Sequence, residues 1–208
     1  MNNRILIVDD HPAISMAIKL LLASEGFDVI AETDNGADAL KLVEEFCPST
    51  MILDIGIPAV DGLTVIKSIV ARQLPVKIIV LTGLPPNHLA ERCKKMGAHG
   101  FISKHDDLCE LVNAVRAVRK DEEYFSKLTT PSQQIPRDSD EGALLERLSV
   151  REFRVMQQLA QGMSNKEIAE YMGLSDKTVS TYKTRLLLKL NVTSLIELYA
   201  LAKRNGLI

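Results

Sequence analysis

Several short apolar segments of the chain end in polar residues whose side chains could take part in chemistry. In chain order these residues are Asp9, Asp10, Asp54, Thr82 and Lys104. Clustered carboxylates repel one another and require a cation, and hard carboxylate oxygens favour Mg²⁺. A carboxylate beside Mg²⁺ can attack a phosphoryl group and form an acyl phosphate, while a hydroxyl and an ammonium bind the oxygens of the transferred group. The set therefore indicates phosphoryl transfer.

Each residue can be given a role in that chemistry. Asp54 is the predicted nucleophile because it alone follows its apolar run, whereas two acids follow the first one. Thr82 can donate a hydrogen bond to one phosphoryl oxygen, and Lys104 can pair with another. The predicted metal ligands are the carboxylates of Asp9, Asp10 and Asp54 and the backbone carbonyl of Gly56. Taken singly, each residue also has an ordinary structural explanation as a helix cap, a turn hydroxyl or a surface base.

The segments that carry these residues alternate between strand and helix patterns. Five apolar, strand-like runs alternate with helical patterns over residues 1–120. This alternation predicts an α/β domain with a doubly wound, five-stranded parallel sheet of the flavodoxin-like kind and right-handed crossovers. The carboxyl ends of parallel strands face one edge of the sheet, so the polar residues are expected to meet there.

Composition and charge indicate a second domain with a different partner. The 208 residues carry a formal net charge of −2, but residues 144–208 hold ten Lys and Arg against six Asp and Glu. The rest of the chain is acidic, and the basic part suggests nucleic acid as a partner. No apolar run reaches the roughly 18 residues of a membrane span. A strand pattern begins directly after the N-terminus, so no signal peptide is expected.

The cysteines and histidines do not form a metal-binding motif. The three cysteines and four histidines are scattered, without the spacing of metal ligands. An odd number of separated cysteines suits a reducing cytoplasm.

The chain changes character after the α/β pattern. Residues 121–143 are polar, contain two prolines and lack any period, which predicts a tether between domains. Residues 144–208 are predicted to be a small all-α domain. Ser149 and Ser164 each precede a Glu by three residues, as in helix capping boxes. Gly173 separates two helical patterns, which indicates a helix-turn-helix.

The third helical pattern of this domain has two different faces. Val179, Tyr182, Leu186 and Leu190 are predicted to face the core. The opposite face carries Lys177, Ser180, Thr181, Thr184 and Leu188, and its small hydroxyls and its lysine suit a major groove. The predicted DNA-binding residues are Lys166, Lys177, Thr178, Ser180, Thr181, Lys183, Thr184 and Arg185. A solvated surface with ordinary charges is the alternative.

Residues 4–120 resemble the receiver domain of two-component response regulators. The matching residues are Asp9, Asp10, Asp54, Pro58, Asp61, Gly62, Thr82, Gly97, Ala98, Phe101 and Lys104. The resemblance implies that Asp54 is phosphorylated by the phosphohistidine of a sensor kinase with Mg²⁺. It also implies a switch in which Thr82 moves toward the phosphoryl group and Phe101 turns inward. Leu84 is apolar and cannot assist an attacking water, which predicts a long-lived phosphoryl group.

Residues 148–208 resemble the LuxR-type helix-turn-helix, in the stretches Leu-Ser-Val-Arg-Glu and Leu-Ser-Asp-Lys-Thr-Val-Ser-Thr-Tyr. The two resemblances together indicate a response regulator of the NarL/FixJ class. They imply a cytoplasmic transcription regulator that becomes a DNA-binding homodimer when phosphorylated. The implied partners are a sensor histidine kinase of the hybrid kind, promoter DNA and RNA polymerase. The implied dimer contact lies on the last helix and comprises Leu195, Leu198, Tyr199 and Ala202.

Two other functions are compatible with the residues alone. One is an enzyme that uses an aspartyl phosphate, although no general acid and no substrate-enclosing cap can be assigned. The other is a receiver whose basic domain binds a protein instead of DNA.

Overall fold

The structure is a computed structural model that describes residues 3–57, 60–84, 86–125, 140–205 and 207. The chain divides into two compact units, Met1–Thr129 and Thr130–Ile208. In the part of the chain that is described, no helix has both the length and the apolarity that crossing a membrane requires.

The first unit contains a five-stranded sheet. Its strands are β1 (Arg4–Val8), β2 (Asp28–Thr33), β3 (Thr50–Leu53), β4 (Lys77–Thr82) and β5 (Gly100–Ser103). They pair in the order β2-β1-β3-β4-β5, and every pairing is parallel. The interior strands β1, β3 and β4 are almost wholly apolar and buried, as expected for strands covered on both faces. The predicted doubly wound parallel sheet is confirmed.

Five helices follow the strands in alternation. They are α1 (Pro12–Ser24), α2 (Gly36–Phe46), α3 (Gly62–Ala71), α4 (Pro86–Lys95) and α5 (Cys109–Val118). Helices α1 and α5 bury Ile18, Leu22, Leu111 and Val115 against the strands in one apolar cluster. The helices cover the apolar faces of the sheet. The short segments that follow the strands therefore do not have to be apolar, and they can carry polar groups.

The beginning of the predicted tether belongs to the sheet. Tyr124 forms a parallel bridge with Gly100 at the outer edge of β5. Its amide donates to the carbonyl of His99 at 3.0 Å, and its carbonyl accepts the amide of Phe101 at 2.8 Å. Its hydroxyl donates to the Glu110 carboxylate on α5. Residues 126–139 of the predicted tether lie outside the described residues, so their role as a tether stays a prediction.

The described residues of the second unit form five helices. They are α6 (Asp140–Glu146), α7 (Val150–Ala160), α8 (Asn165–Met172), α9 (Asp176–Leu190) and α10 (Leu195–Arg204). The predicted capping boxes of Ser149 and Ser164 are present in full. Helix α6 was not predicted from the sequence. Its Glu141 accepts hydrogen bonds from Arg204 at 2.7 Å and Asn205 at 3.0 Å, which joins α6 to the end of α10.

The apolar stripe expected on α10 is only partly available for a dimer contact. Leu198 and Ala202 are buried, so packing within the unit already uses them. Leu195 and Tyr199 are exposed, together with Ile196, which was not included in the expected stripe.

Candidate functional site

The structure brings together the carboxylates and the ammonium that the sequence placed at strand ends. Asp9 follows β1, Asp54 follows β3 and Lys104 follows β5. The Lys104 Nζ atom lies 2.8 Å from Asp54 Oδ2 and 2.6 Å from Asp9 Oδ2. Asp54 is 1% exposed and Asp9 is 6% exposed, so these two carboxylates are largely shielded from bulk water. Burial increases the strength of these electrostatic interactions.

Backbone contacts after β3 hold Asp54 in position. Its Oδ1 atom accepts the amide of Gly56 at 2.9 Å, which closes a local turn. Asp61 caps α3 by accepting the amide of Thr64 at 3.0 Å. A Cβ on Gly62 would lie 2.5 Å from the Cα of Ile55, so only glycine lets α3 start this close to the Asp54 loop. Pro58, which carried part of the family resemblance, lies outside the described residues.

The remaining predicted receiver residues lie on the neighbouring strands. Thr82 ends β4 and is fully buried, and its hydroxyl accepts the amide of Leu84 at 3.3 Å. The Thr82 carbonyl accepts the amide of Lys104 at 2.8 Å, which ties the ends of β4 and β5 together. Phe101 lies on β5 and is buried.

His11 belongs to the same cluster, although it was not among the predicted site residues. Its Nδ1 atom lies 3.0 Å from Asp9 Oδ1, 2.9 Å from Asp10 Oδ1 and 3.3 Å from Lys104 Nζ. The scattered spacing of the histidines does not predict a metal site, yet His11 lies among the carboxylates of this cluster. The sequence signal that could have identified His11 as a site residue is its position directly after Asp9 and Asp10.

The cluster fits a divalent cation. Asp9, Asp10, His11 and Asp54 each offer a ligand atom, and these atoms all lie within 4.8 Å of one another. The three carboxylates outnumber the single Lys104 ammonium, which leaves net negative charge in a mostly buried pocket. Such a pocket is stabilised by a cation, and its oxygen atoms suit a hard one.

The second unit contains the predicted helix-turn-helix. Helix α8 ends at Gly173, whose φ of 62° and ψ of 36° lie in the left-handed region that glycine adopts easily. Ser175 is the N-cap of α9, and its hydroxyl accepts the amide of Thr178 at 3.1 Å. Of the four residues predicted to face the core, Val179, Leu186 and Leu190 are buried, whereas Tyr182 is only half-buried.

The predicted DNA-binding residues are accessible on α8 and α9. The exposed ones are Lys166, Lys177, Ser180, Thr181, Thr184 and Arg185, and the half-buried ones are Thr178 and Lys183. Thr181 donates its hydroxyl hydrogen to the Lys177 carbonyl at 2.9 Å, and Thr184 donates to the Ser180 carbonyl at 3.1 Å. The hydroxyl oxygens of Thr181 and Thr184 can therefore still accept hydrogen bonds, and they lie on a polar surface that also carries several Lys and Arg side chains.

A partly buried ion pair fastens α9 to α7. Lys189 Nζ lies 2.6 Å from Glu152 Oε2, and the Glu152 carboxylate also accepts hydrogen bonds from the amide and hydroxyl of Ser149. Burial alone would raise the pKa of Glu152, but the hydrogen bonds from Lys189 and Ser149 outweigh it and lower that pKa below its ordinary value. The capping box was predicted, but its partner on α9 was not.

Fold and site together define a two-component response regulator. Residues 5–116 match the response regulator receiver domain family, and residues 146–202 match the bacterial regulatory proteins of the luxR family. The chain therefore belongs to the response regulators of the NarL/FixJ class, with a receiver domain and a LuxR-type DNA-binding domain.

Full-length relatives agree with this assignment. The chain is 51% identical over 208 residues to the virulence factors putative positive transcription regulator BvgA of Bordetella pertussis, and the alignment covers all of both chains. It is 35% identical to the DNA-binding transcriptional activator EvgA of Escherichia coli, covering 96% of this chain and 97% of that one. A solved structure of the Salmonella typhimurium RcsB response regulator has a TM-score of 0.60 at 25% identity, covering 98% of each chain.

Proposed function

We propose that this response regulator is a phosphorylation-gated transcription factor. Asp54 is the phosphoacceptor, a sensor histidine kinase of the hybrid kind is the donor, and promoter DNA is the target. The regulator acts in the cytoplasm and catalyses only its own phosphorylation and dephosphorylation. The observation that carries the proposal is the buried contact of Asp54 with Lys104, because that contact places a nucleophile and a phosphate-binding cation side by side.

In the phosphoryl step, an oxygen of the Asp54 carboxylate forms the new P–O bond. The P–N bond to the donor imidazole breaks, and the imidazole keeps the bonding pair. The Lys104 ammonium leaves the Asp54 carboxylate and pairs with one phosphoryl oxygen. The Thr82 hydroxyl gives up its contact with the Leu84 amide and donates a hydrogen bond to a second phosphoryl oxygen. Mg²⁺, when bound by Asp9, Asp10, Asp54 and the Gly56 carbonyl, supplies charge neutralisation for this transfer.

Thr82 and Phe101 connect this event to the rest of the domain. The Thr82 hydroxyl moves toward the phosphoryl group, and the Phe101 ring, which is buried, changes its packing with it. Phosphorylation then shifts an existing equilibrium toward a homodimer, with Leu195, Ile196 and Tyr199 of α10 as its apolar contact.

DNA binding is assigned to the exposed surface of α9. Ser180, Thr181 and Thr184 contact base edges. The hydroxyls of Thr181 and Thr184 donate to backbone carbonyls, so their oxygens can accept from donors in the major groove. The predicted basic residues on α8 and α9 contact phosphates and set the register on the duplex. Bound at a promoter, the dimer acts on RNA polymerase.

Binding to DNA with and without phosphorylation tests this proposal. A target sequence is first selected from random DNA with the full chain in acetyl phosphate and Mg²⁺, and affinity for it is then measured by fluorescence anisotropy. Acetyl phosphate should tighten binding by the wild-type chain and leave the Asp54→Asn variant unchanged. Asp61→Asn removes the same charge from the cap of α3 and should respond like the wild type.

Two results would contradict the proposal. Absence of DNA binding at low salt under either condition would remove the DNA-binding function. Acid-labile phosphate on the Asp54→Asn variant would show that another residue is the phosphoacceptor.

A further inference from the structure

The imidazole of His11 faces the same carboxylates that are assigned to the cation. Its Nδ1 atom lies 3.0 Å from Asp9, 2.9 Å from Asp10 and 3.9 Å from Asp54. One ring nitrogen thus approaches three carboxylates that follow two different strands. A cation shared by these carboxylates would lie within reach of that nitrogen.

The backbone around His11 fixes this placement. Pro12 is the first residue of α1, and a proline restricts the residue before it to extended conformations. His11 accordingly has a φ of −107° and a ψ of 98°. Its amide donates to Asp9 Oδ1 at 2.8 Å, and its carbonyl accepts the amides of Ile14 and Ser15. The backbone of His11 is therefore fixed beside the acids, and the contacts of Nδ1 with Asp9 and Asp10 hold the ring over them.

The nitrogen atom changes the chemistry of the site. Carboxylates and carbonyls alone form an all-oxygen ligand set, which suits Mg²⁺. Imidazole nitrogen is a softer ligand that favours first-row transition metals over Mg²⁺. When Nδ1 binds a metal, it presents its lone pair and the ring proton resides on Nε2.

We propose that His11 is a nitrogen ligand of the receiver cation and shifts its selectivity from Mg²⁺ toward Mn²⁺ and the later first-row divalent ions. The inference rests on the metal site of the proposed function and adds a residue and a selectivity to it. Within that site, His11 is a specificity-determining residue, whereas the carboxylates provide the charge.

Electron paramagnetic resonance of Mn²⁺ bound to the full chain tests this role without any activity readout. The pulsed spectrum of the wild-type complex should contain the ¹⁴N coupling of a directly bound imidazole, which labelling with ¹⁵N-histidine should convert to a ¹⁵N coupling. The His11→Gln variant should lose this coupling and bind Mn²⁺ roughly tenfold more weakly. Its affinity for Mg²⁺, measured by competition with Mn²⁺, should change by less than about threefold.

A second histidine gives the matched control. His105 follows Lys104 and is exposed, and the His105→Gln variant should keep both the nitrogen coupling and the Mn²⁺ affinity. Two results would overturn the role of His11 and leave the metal site intact. One is Mn²⁺ binding by the wild type without nitrogen coupling, and the other is unchanged nitrogen coupling in the His11→Gln variant. Absence of Mn²⁺ binding by the wild type would overturn the metal site itself, and the proposal with it.

Discussion

The Lys104 ammonium lies 2.8 Å from Asp54 Oδ2, in a pocket where the two side chains are 8% and 0% exposed. The same ammonium lies 2.6 Å from Asp9 Oδ2, so it stands between two carboxylates that would otherwise repel each other. Lys104 thereby neutralises part of the charge that a divalent cation would neutralise.

Replacing Lys104 with methionine should therefore destabilise the metal-free protein and make its stability depend on a cation. The loss leaves buried carboxylates without their ammonium, which should cost about 3 kcal/mol of unfolding free energy. Mg²⁺ should restore part of this loss and stabilise the variant more than the wild type. Urea unfolding with and without Mg²⁺ measures both effects. Lys120→Met removes an exposed charge from the same domain and should show neither.

The side chain at position 84 should set the lifetime of the phosphoryl group. Leu84 is buried, and its backbone amide donates to the Thr82 hydroxyl, so the residue lies beside the site. Its side chain offers no polar group to an attacking water. Leu84→Asn should speed dephosphorylation because an amide can orient an attacking water. Leu84→Met keeps the apolar character and should leave the rate unchanged. The decay of acid-labile phosphate after donor removal gives these rates, and decay of the wild type within seconds would contradict the expectation.

Lys166 should contribute charge to DNA binding without contributing sequence preference. It is exposed on the first helix of the helix-turn-helix, which commonly crosses the DNA backbone. Lys166→Gln should weaken binding equally on matched and mismatched sites. The slope of log affinity against log salt should fall by about 0.9. Anisotropy titrations at several salt concentrations provide this slope, and Lys120→Gln in the other unit should leave it unchanged.

The ion pair of Glu152 with Lys189 should make stability depend on pH. The pKa of Glu152 is lower in the folded protein than its ordinary value, so the pair stabilises the fold above the unfolded pKa of 4.5. This contribution is lost as the pH falls through the folded pKa. Glu152→Gln should cost about 2 kcal/mol at pH 7.

Urea unfolding at a series of pH values measures this dependence. The difference between the Glu152→Gln variant and the wild type should shrink below pH 4.5. Glu197→Gln, at an exposed cap of α10, should change stability less at every pH. A difference for Glu152→Gln that did not vary with pH would show that packing and not ionisation is responsible.

Much of the architecture follows from local signals in the sequence. The strands were predictable because β1, β3 and β4 are short apolar runs that end in polar residues. The capping boxes of Ser149 and Ser164 were predictable because a capping box depends on two residues three positions apart.

The features that were not predicted depend on partners distant in sequence. Tyr124 joins the sheet through backbone bonds to His99 and Phe101, which leave no pattern in side-chain type. The partner of Glu152 is 37 positions away on another helix. His11 differs, since it follows the two acids directly, but its approach to Asp54 joins residues 43 positions apart in the chain.

The bridge between Tyr124 and Gly100 has a consequence for association of the receiver with itself. Strand β5 lies at the edge of the sheet, where unpaired peptide groups can recruit a strand from another molecule. Tyr124 forms hydrogen bonds with the peptide groups of His99 and Phe101. The opposite edge of the sheet is β2, which carries the acidic residues Asp28 and Glu32. A receiver cut before Glu122 would keep its phosphoacceptor site but expose this edge. It should aggregate at concentrations where the full chain does not, which light scattering would detect.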